Sequence, residues 1–220
     1  PRLSPATPAL LATDAPTRLL ALSVAPGERL SEGTWSPAAE RDAHAAAGRF
    51  ARALHDLDAD DDDPMPLHAA VRARLVRALA EAAPLLTPGE RDGLGALARG
   101  ADAFSGARRV PCHRDFTPDN WMSVQTCPAG HPCVTIVDFE HARLDAAEVD
   151  LVKLRADVWP ARPDLEAAFR AGYGPLCVDG AARLGALLAL HAAATLAWAG
   201  RHDDPQFMAL GRRALAAALA

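Results

Sequence analysis

Three polar residues in a short part of the chain have the types and spacing to support metal-assisted chemistry. Asp115 lies in the sequence His-Arg-Asp, and Asn120, the only asparagine of the chain, follows five residues later. Asp138 comes directly after a β-branched run and begins the sequence Asp-Phe-Glu. Carboxylate and amide oxygens suit a hard cation such as Mg²⁺ and leave coordination positions open for phosphate groups. Asn120 and Asp138 are therefore candidate ligands for a hard cation.

The order of these motifs resembles that of the protein kinases, in which an Asn follows the H-R-D aspartate by five residues and a later strand leads into D-F-G. Phosphoryl transfer requires a protein mainly to position the acceptor hydroxyl and to neutralise phosphate charge through Mg²⁺. The resemblance implies that Asp115 accepts the proton of the attacking hydroxyl, within a catalytic loop that includes His113 and Arg114. Asn120 and Asp138 would bind the metal and, through it, the nucleotide.

A longer set of residues is similar to the aminoglycoside phosphotransferase and choline kinase family. The matching segments are His-x-Asp-Phe-x-Pro-x-Asn-Trp from His113, Ile-Val-Asp-Phe-Glu-His-Ala around Asp138, and Glu-Val-Asp-Leu from Glu148. The resemblance covers nearly the whole chain and implies ATP and Mg²⁺ as cofactors. It also implies that His113 braces the catalytic loop and that Asp150 supports it. A hinge strand would present the backbone of Leu22, Ser23 and Val24 to the adenine.

The acceptor is less well defined by the sequence. The resemblance implies a hydroxyl group on a small molecule, with an aminoglycoside or related antibiotic first, and choline, homoserine, methylthioribose, macrolide and sugar acceptors open. Acidic and aromatic residues that could line its pocket are Asp119, Glu140, Trp198, Asp203 and Asp204. Each is also typical of a solvated surface charge or, for Trp198, of core packing. His191, His55 and Trp159 are interpreted as core or structural residues, with an acceptor role for His191 as the less favoured alternative.

The elements that position these residues are predicted to be mostly helical, with a small β insert at about residues 110–140. The predicted fold is α+β, a protein-kinase-like C-terminal lobe (31–220) whose β-hairpin insert carries the catalytic loop. Residues 1–30 are predicted to be a remnant of the N-terminal lobe and its hinge strand. Helices are expected from Ser36 to about 58, at 67–83, 88–104, 148–158, 164–172, 180–199 and 205–219.

The lysine that anchors phosphates in kinases is not found in the predicted N-terminal remnant. Lys153 is the only lysine of the chain, and no Gly-rich phosphate loop precedes residue 19. We therefore expect most of the N-terminal lobe to be absent. A non-catalytic, truncated pseudo-phosphotransferase is accordingly an alternative to an active enzyme.

Composition narrows the class of partner. Half of the residues are hydrophobic, which is enough for a buried core. The net charge of −5 argues against a nucleic-acid partner, whose binding requires clustered Lys and Arg. The longest apolar runs, such as 184–190, are shorter than a membrane span, and the N-terminus does not resemble a signal peptide. Four cysteines do not form a disulfide framework, so a cytoplasmic protein is expected. Free thiols are favoured over a zinc site built from Cys127, His131 and Cys133, and also over a hairpin disulfide.

Overall fold

A computed structural model describes residues 6–124 and 134–220 of the chain. The strands of this part are short and are β1 (Leu10–Asp14), β2 (Leu19–Leu22), β3 (Glu28–Arg29), β4 (Val110–Cys112), β5 (Trp121–Ser123), β6 (Val134–Ile136) and β7 (Arg143–Asp145). The helices are α1 (Pro37–His55), α2 (Leu67–Ala82), α3 (Pro88–Ala98), α4 (Val149–Lys153), α5 (Pro163–Tyr173), α6 (Gly180–His202) and α7 (Pro205–Leu219). A helical α+β fold is therefore confirmed.

Helix starts follow the capping signals of the sequence. The Ser36 hydroxyl accepts a hydrogen bond from the Ala39 amide at the start of α1, with proline at the first helical position. Thr87 and Glu90 form the predicted capping box of α3. The segment predicted as one helix over 88–104 instead ends at Ala98 and continues as a 3₁₀ turn. Within that turn, a Cβ added at Gly100 would lie 2.5 Å from a carbonyl oxygen of α6, so the backbones approach closely there.

The chain divides into two compact units. The first unit comprises Pro1–Asp58, His113–Arg143 and Arg162–Pro175. It contains an antiparallel sheet in the order β3-β5-β6 and the packed helices α1 and α5. Its core is aromatic and is formed by Phe50, Phe116, Trp121, Phe169 and Tyr173. The predicted boundary at residue 30 stays a prediction, although β3 already pairs with β5 inside this unit.

Close backbone contact joins α1 to α5. A Cβ at Gly48 would lie 2.2 Å from the Phe169 carbonyl oxygen, and one at Gly172 would lie 2.0 Å from that of Ala45. Neither backbone oxygen can move without separating the helices. The two glycines therefore set the distance between α1 and α5.

We expect Gly172→Ala to lower the free energy of unfolding by about 1–3 kcal/mol, because the new methyl group overlaps the α1 backbone. Gly95→Ala in α3 is the matched control, since nothing lies within 4 Å of its added Cβ. That substitution should raise stability by up to about 1 kcal/mol through helix propensity. Urea denaturation of the two variants measures the difference, and equal effects would contradict the close contact.

The second unit comprises Ala59–Cys112, Leu144–Ala161 and Leu176–Ala220. Its central helix is α6, which packs against α2, α3 and α7. This helix has 23 residues and contains an apolar 18-residue window with a mean hydropathy of 1.3, so by length and composition alone it could cross a membrane. Yet 61% of the apolar window is buried inside the protein, as in a core helix. The sequence predicts one helix over 180–199, and the structure extends it to His202.

The β segments pair differently from the single hairpin insert that the sequence predicts. β5 pairs with β6 as expected, but β4 pairs with β7 in a separate two-stranded sheet. Pro111 lies within β4 and lacks an amide hydrogen, which restricts such a strand to an edge position. The sequence also missed β1, which pairs with the predicted strand β2. The residues of these two strands are exposed throughout.

Stability should depend on pH through a histidine of α6. Burial lowers the pKa of His191 to about 4, and the positive charge of Lys153 adds to this effect. Its Nε2 is buried and has no hydrogen-bond partner among the described residues. Since the unfolded ring titrates near about 6.5, the unfolded chain binds a proton that the native protein excludes.

Above pH 6.5 the His191 ring is neutral in both the native and the unfolded protein and does not lower the free energy of unfolding. As pH falls from 6.5 towards 4, the ring is protonated in the unfolded chain only, so the free energy of unfolding decreases. We expect the wild type to lose up to about 1.4 kcal/mol of unfolding free energy per pH unit from this group over that window. His191→Leu should flatten this part of the profile. Denaturant titrations at about pH 7.5 and about pH 4.5 provide the comparison, and parallel profiles would show that His191 is not responsible.

Candidate active site

The loop that contains Asp115 is connected to the segment before Asp138 by one buried histidine. Nε2 of His113 lies 2.8 Å from the Val137 carbonyl oxygen, and because a carbonyl only accepts, Nε2 carries the proton. Nδ1 then accepts a hydrogen bond from the Asp115 amide at 3.3 Å. His113 is completely buried. This geometry supports the bracing role that the resemblance implies for His113.

Asn120 connects the other end of the loop to Asp115. Its side-chain amide donates to the Asp115 backbone oxygen at 2.9 Å and to Oδ2 of the Asp115 carboxylate at 3.2 Å. The backbone carbonyl oxygen of Asn120 accepts a hydrogen bond from the Val137 backbone amide at 3.0 Å. With its NH₂ group held in this way, Asn120 has its side-chain oxygen as the atom suited to a cation. The predicted base and one predicted metal ligand thus share a hydrogen bond.

Two residues of the motifs have left-handed backbone conformations. Arg114 has φ +67° and Asp138 has φ +66°. For a residue other than glycine, such a conformation costs of the order of 1–3 kcal/mol and is retained mainly where the surrounding structure fixes it. Asp tolerates this region better than Arg does. The positive φ values therefore mark both motifs as candidate functional positions, independently of their sequence.

Aromatic packing underlies the loop, and its members have no assigned role in the sequence analysis. The Phe139 ring is 4.7 Å from the His113 ring, between centroids. Phe116 contacts the same imidazole at 5.7 Å and Phe50 of α1 at 6.1 Å. Phe50 follows the helical period of α1, and this was the only signal for its burial. Contacts among the three phenylalanine rings depend on the tertiary fold, which the periodicity does not specify.

The other predicted residues of the first unit lie in different surroundings. Asp119 is exposed in the 3₁₀ turn before β5, and Glu140 is exposed with its Oε1 3.4 Å from His141 Nε2. Ser23 exchanges backbone and side-chain hydrogen bonds with Ala9 at 2.8 Å, whereas Leu22 and Val24 are exposed. The Ser23 amide already donates to Ala9, so a backbone hydrogen bond to adenine would have to come from Leu22 or Val24.

In the second unit, the predicted residues mostly have local structural contacts. Asp150 is buried in the first turn of α4. The Trp198 ring stacks on His202 at 4.2 Å and contacts Phe207 at 4.5 Å. Asp203 ends α6 in a left-handed conformation, and Asp204 caps α7 by accepting two backbone hydrogen bonds. The capping role of Asp204 needs no ligand, and its acceptor role stays a prediction.

The cysteines bear on the zinc alternative. Cys127, His131 and Cys133 lie outside the described residues. Cys112, which directly precedes His113, is buried. Its thiol lies within 3.3–3.6 Å of the backbone carbonyl oxygens of Val110, Asp145 and Ala146. Those contacts are typical of a structural thiol.

Comparison with protein families gives one match over most of the chain. The profile of the phosphotransferase enzyme family, APH, matches residues 2–187. No curated protein is significantly similar in sequence.

Solved structures share the fold at low sequence identity. The GDP complex of an aminoglycoside 2'-phosphotransferase is 16% identical, with a TM-score of 0.66, covering 99% of this chain and 78% of that one. A spectinomycin phosphotransferase with ADP and spectinomycin is 14% identical, with a TM-score of 0.54 and coverages of 91% and 71%. A choline/ethanolamine kinase family protein from Mesorhizobium loti is 20% identical, with a TM-score of 0.59 and coverages of 97% and 78%.

Proposed function

Because this chain belongs to the phosphotransferase enzyme family APH, and so is a phosphotransferase acting on hydroxyl groups, we propose that it transfers the γ-phosphate of ATP to a small molecule. The family predicted from the motifs is confirmed. The observation that carries the proposal is the hydrogen bond between Asn120 and Asp115, together with the His113 link to Val137. The first contact fixes the proposed base, Asp115, against the proposed metal ligand, Asn120. The second connects their loop to Val137, the residue before Asp138.

The donor set fits a magnesium ion. The Asn120 side-chain oxygen and the Asp138 carboxylate are hard ligands, and two protein ligands are typical where nucleotide phosphates and water complete the coordination. Mg²⁺, when bound, supplies the positive charge that phosphoryl transfer needs. Asp138 has a left-handed backbone and is exposed, so its carboxylate is accessible to a ligand. Asn120 and Asp138 are accordingly the residues that we assign to the metal.

Asp115 performs the proton transfer in this proposal. Its carboxylate accepts the proton of the acceptor hydroxyl while the hydroxyl oxygen forms a bond to the γ-phosphorus. The bond between that phosphorus and the bridging oxygen of the nucleoside diphosphate breaks, and the diphosphate leaves. The proton then passes from Asp115 to water. The Asn120 hydrogen bond orients the carboxylate for the first step.

The acceptor that we propose first is an aminoglycoside or a related antibiotic. Two of the solved structures with this fold are phosphotransferases for aminoglycosides and for spectinomycin. The acidic net charge of −5 is compatible with a cationic acceptor. A choline- or ethanolamine-type acceptor is the second candidate, since a protein of that kinase family shares the fold. Homoserine and sugars follow.

The decisive assay is phosphate transfer by the whole chain. Purified protein is incubated with Mg²⁺, with ATP or GTP as donor, and with single acceptors from the aminoglycoside, choline and sugar classes. GTP is included because one solved relative carries GDP. We expect nucleoside diphosphate to form only with an acceptor present, and the acceptor to gain one phosphoryl group by mass spectrometry. Binding of Mg²⁺-nucleotide without transfer to any acceptor would refute the proposed transfer.

A non-catalytic binding protein is the second candidate function. Its support is that the only lysine, Lys153, lies in α4, whereas kinases anchor phosphates with a lysine on a strand before the hinge. In that case nucleotide binding would persist and turnover would not exceed that of an Asp115 variant. The assay above separates the two candidates.

A further inference from the structure

A buried histidine of α1 lies against the residue that follows Asn120 in sequence. His44 is 2% exposed, and Trp121 is completely buried. Their ring centroids are 5.1 Å apart, and the ring planes are inclined by 76°. Trp121 is the first residue of β5 and is joined to Asn120 by one peptide bond. His44 therefore has a path of direct contact towards the assigned metal ligand.

The contacts of His44 determine which ring nitrogen carries the proton. Nδ1 lies 2.9 Å from the carbonyl oxygen of Glu40, one helical turn earlier. Because that oxygen only accepts, Nδ1 is protonated, and Nε2 of the neutral ring is a bare acceptor. Burial lowers the pKa of His44 despite the nearby carboxylates of Glu40 and Asp164. Arg162 pairs with these two carboxylates, so the neutral ring is the native form.

The two contacting rings have complementary polar atoms. Neither Nε2 of His44 nor Nε1 of Trp121 has a hydrogen-bond partner within residues 6–124 and 134–220. The indole N–H is a donor, and the imidazole Nε2 is an acceptor. Leaving either one buried and unsatisfied costs about 1–3 kcal/mol. The two atoms are not hydrogen-bonded to each other in the structure, and a hydrogen bond formed between them would satisfy both at once.

We infer that His44 is a positioning residue of the phosphotransferase site, acting through Trp121 on Asn120, and this role rests on the proposed function. Among residues 6–124 and 134–220, the other contacts of Trp121 are with aromatic rings or through its backbone. Its ring lies 5.0 Å from that of Phe116, and its carbonyl oxygen accepts a hydrogen bond from Leu30 at 2.9 Å. His44 adds a polar edge contact to this ring, and a hydrogen bond from the indole N–H to Nε2 would select one orientation of the indole. A displacement of the order of 1 Å at a ligand is enough to lower activity about 10²-fold.

His44→Leu and His44→Gln test the role, because they differ in the acceptor atom rather than in volume. The measured quantity is the dissociation constant of nucleotide with and without Mg²⁺, by calorimetry on the whole chain. We expect His44→Leu to weaken Mg²⁺-dependent binding by about 10–100-fold, as for other residues that orient a metal ligand. His44→Gln, whose side-chain oxygen can accept from the indole, should bind within a few-fold of wild type.

Trp121→Phe removes the donor while keeping an aromatic ring, so it provides an independent approach to the same contact. We expect it to weaken Mg²⁺-dependent binding as His44→Leu does. The double variant should be no weaker than either single variant, since both remove one interaction. His191→Leu is the matched control, because it replaces another buried histidine whose Nε2 lacks a partner in the described chain. It should leave nucleotide binding unchanged.

Three outcomes would overturn the inference. The first is binding of Mg²⁺-nucleotide by His44→Leu as tight as that of wild type, and the second is an equal loss of binding in His44→Leu and His44→Gln. The third is a double variant in which the two single effects add. A wild type without any Mg²⁺-dependent binding would refute the proposed function itself, and the role of His44 with it. Denaturant unfolding of each variant ensures that only folded proteins are compared, and Trp121→Phe decides the matter if His44→Leu does not fold.

Discussion

Asp115→Asn is expected to reduce kcat by about 10²–10⁴-fold, the usual contribution of a positioned general base. The asparagine side chain keeps an oxygen that can accept the Asn120 hydrogen bond, now 3.2 Å long, so the loop should keep its shape. What it loses is the capacity to take a proton from the acceptor hydroxyl. Steady-state kinetics with the best acceptor would give kcat, and calorimetry would give nucleotide affinity, which should stay close to that of wild type.

The control for this experiment is Asp42→Asn, an exposed aspartate of α1 in the same unit. It makes the same chemical change away from the loop and should leave kcat as it is. Turnover by Asp115→Asn at the wild-type rate would remove Asp115 from the mechanism. A fall in nucleotide affinity of the same size as the fall in kcat would instead show that the loop had been distorted.

Asp138→Asn is expected to abolish most of the Mg²⁺ dependence of nucleotide binding. A neutral amide replaces the one charged ligand assigned to the metal, so the affinity in the presence of Mg²⁺ should fall at least about tenfold, or about 1.4 kcal/mol. Binding measured without Mg²⁺ should change little. Titration of nucleotide at a fixed Mg²⁺ concentration, followed by a Mg²⁺ titration at fixed nucleotide, measures both effects.

The left-handed backbone of Asp138 dictates the choice of asparagine. Asn adopts φ near the observed +66° more readily than most residues, so charge is removed with little added backbone strain. Asp138→Ala adds that strain, and the difference between the two variants in unfolding free energy measures it. Retained Mg²⁺-dependent binding in Asp138→Asn would show that the metal is held elsewhere.

The helices and the catalytic motifs were accessible from the sequence because their signals are local. Ser36 and Thr87 mark helix starts through hydrogen bonds to residues three positions away. The motif around Asp115 is also local, since Asn120 follows Asp115 by five residues. Family resemblance then supplied the roles. For residues such as Asp150 and Trp198, the sequence named candidates, but burial and stacking became known only from the structure.

Strand pairing and the aromatic contacts were not accessible in the same way. Strands of three residues, such as β4 and β5, carry too short an alternation to specify a partner. The contact between His44 and Trp121 joins residues far apart in sequence. Because His44 is flanked by alanines, the hydrophobic periodicity of α1 does not indicate that its side chain is buried. Only the packing of α1 onto the sheet brings the two rings together.

The positive φ of Arg114 has a consequence for how activity returns after denaturation. An arginine in an isolated loop strongly disfavours this conformation, so the loop acquires its geometry only when the surrounding packing is complete. Helical signal can therefore recover before the Asp115 carboxylate, the proposed general base, reaches its native position. During refolding, regain of phosphotransfer would report the last cooperative step of the first unit, later than circular dichroism and together with burial of Trp121.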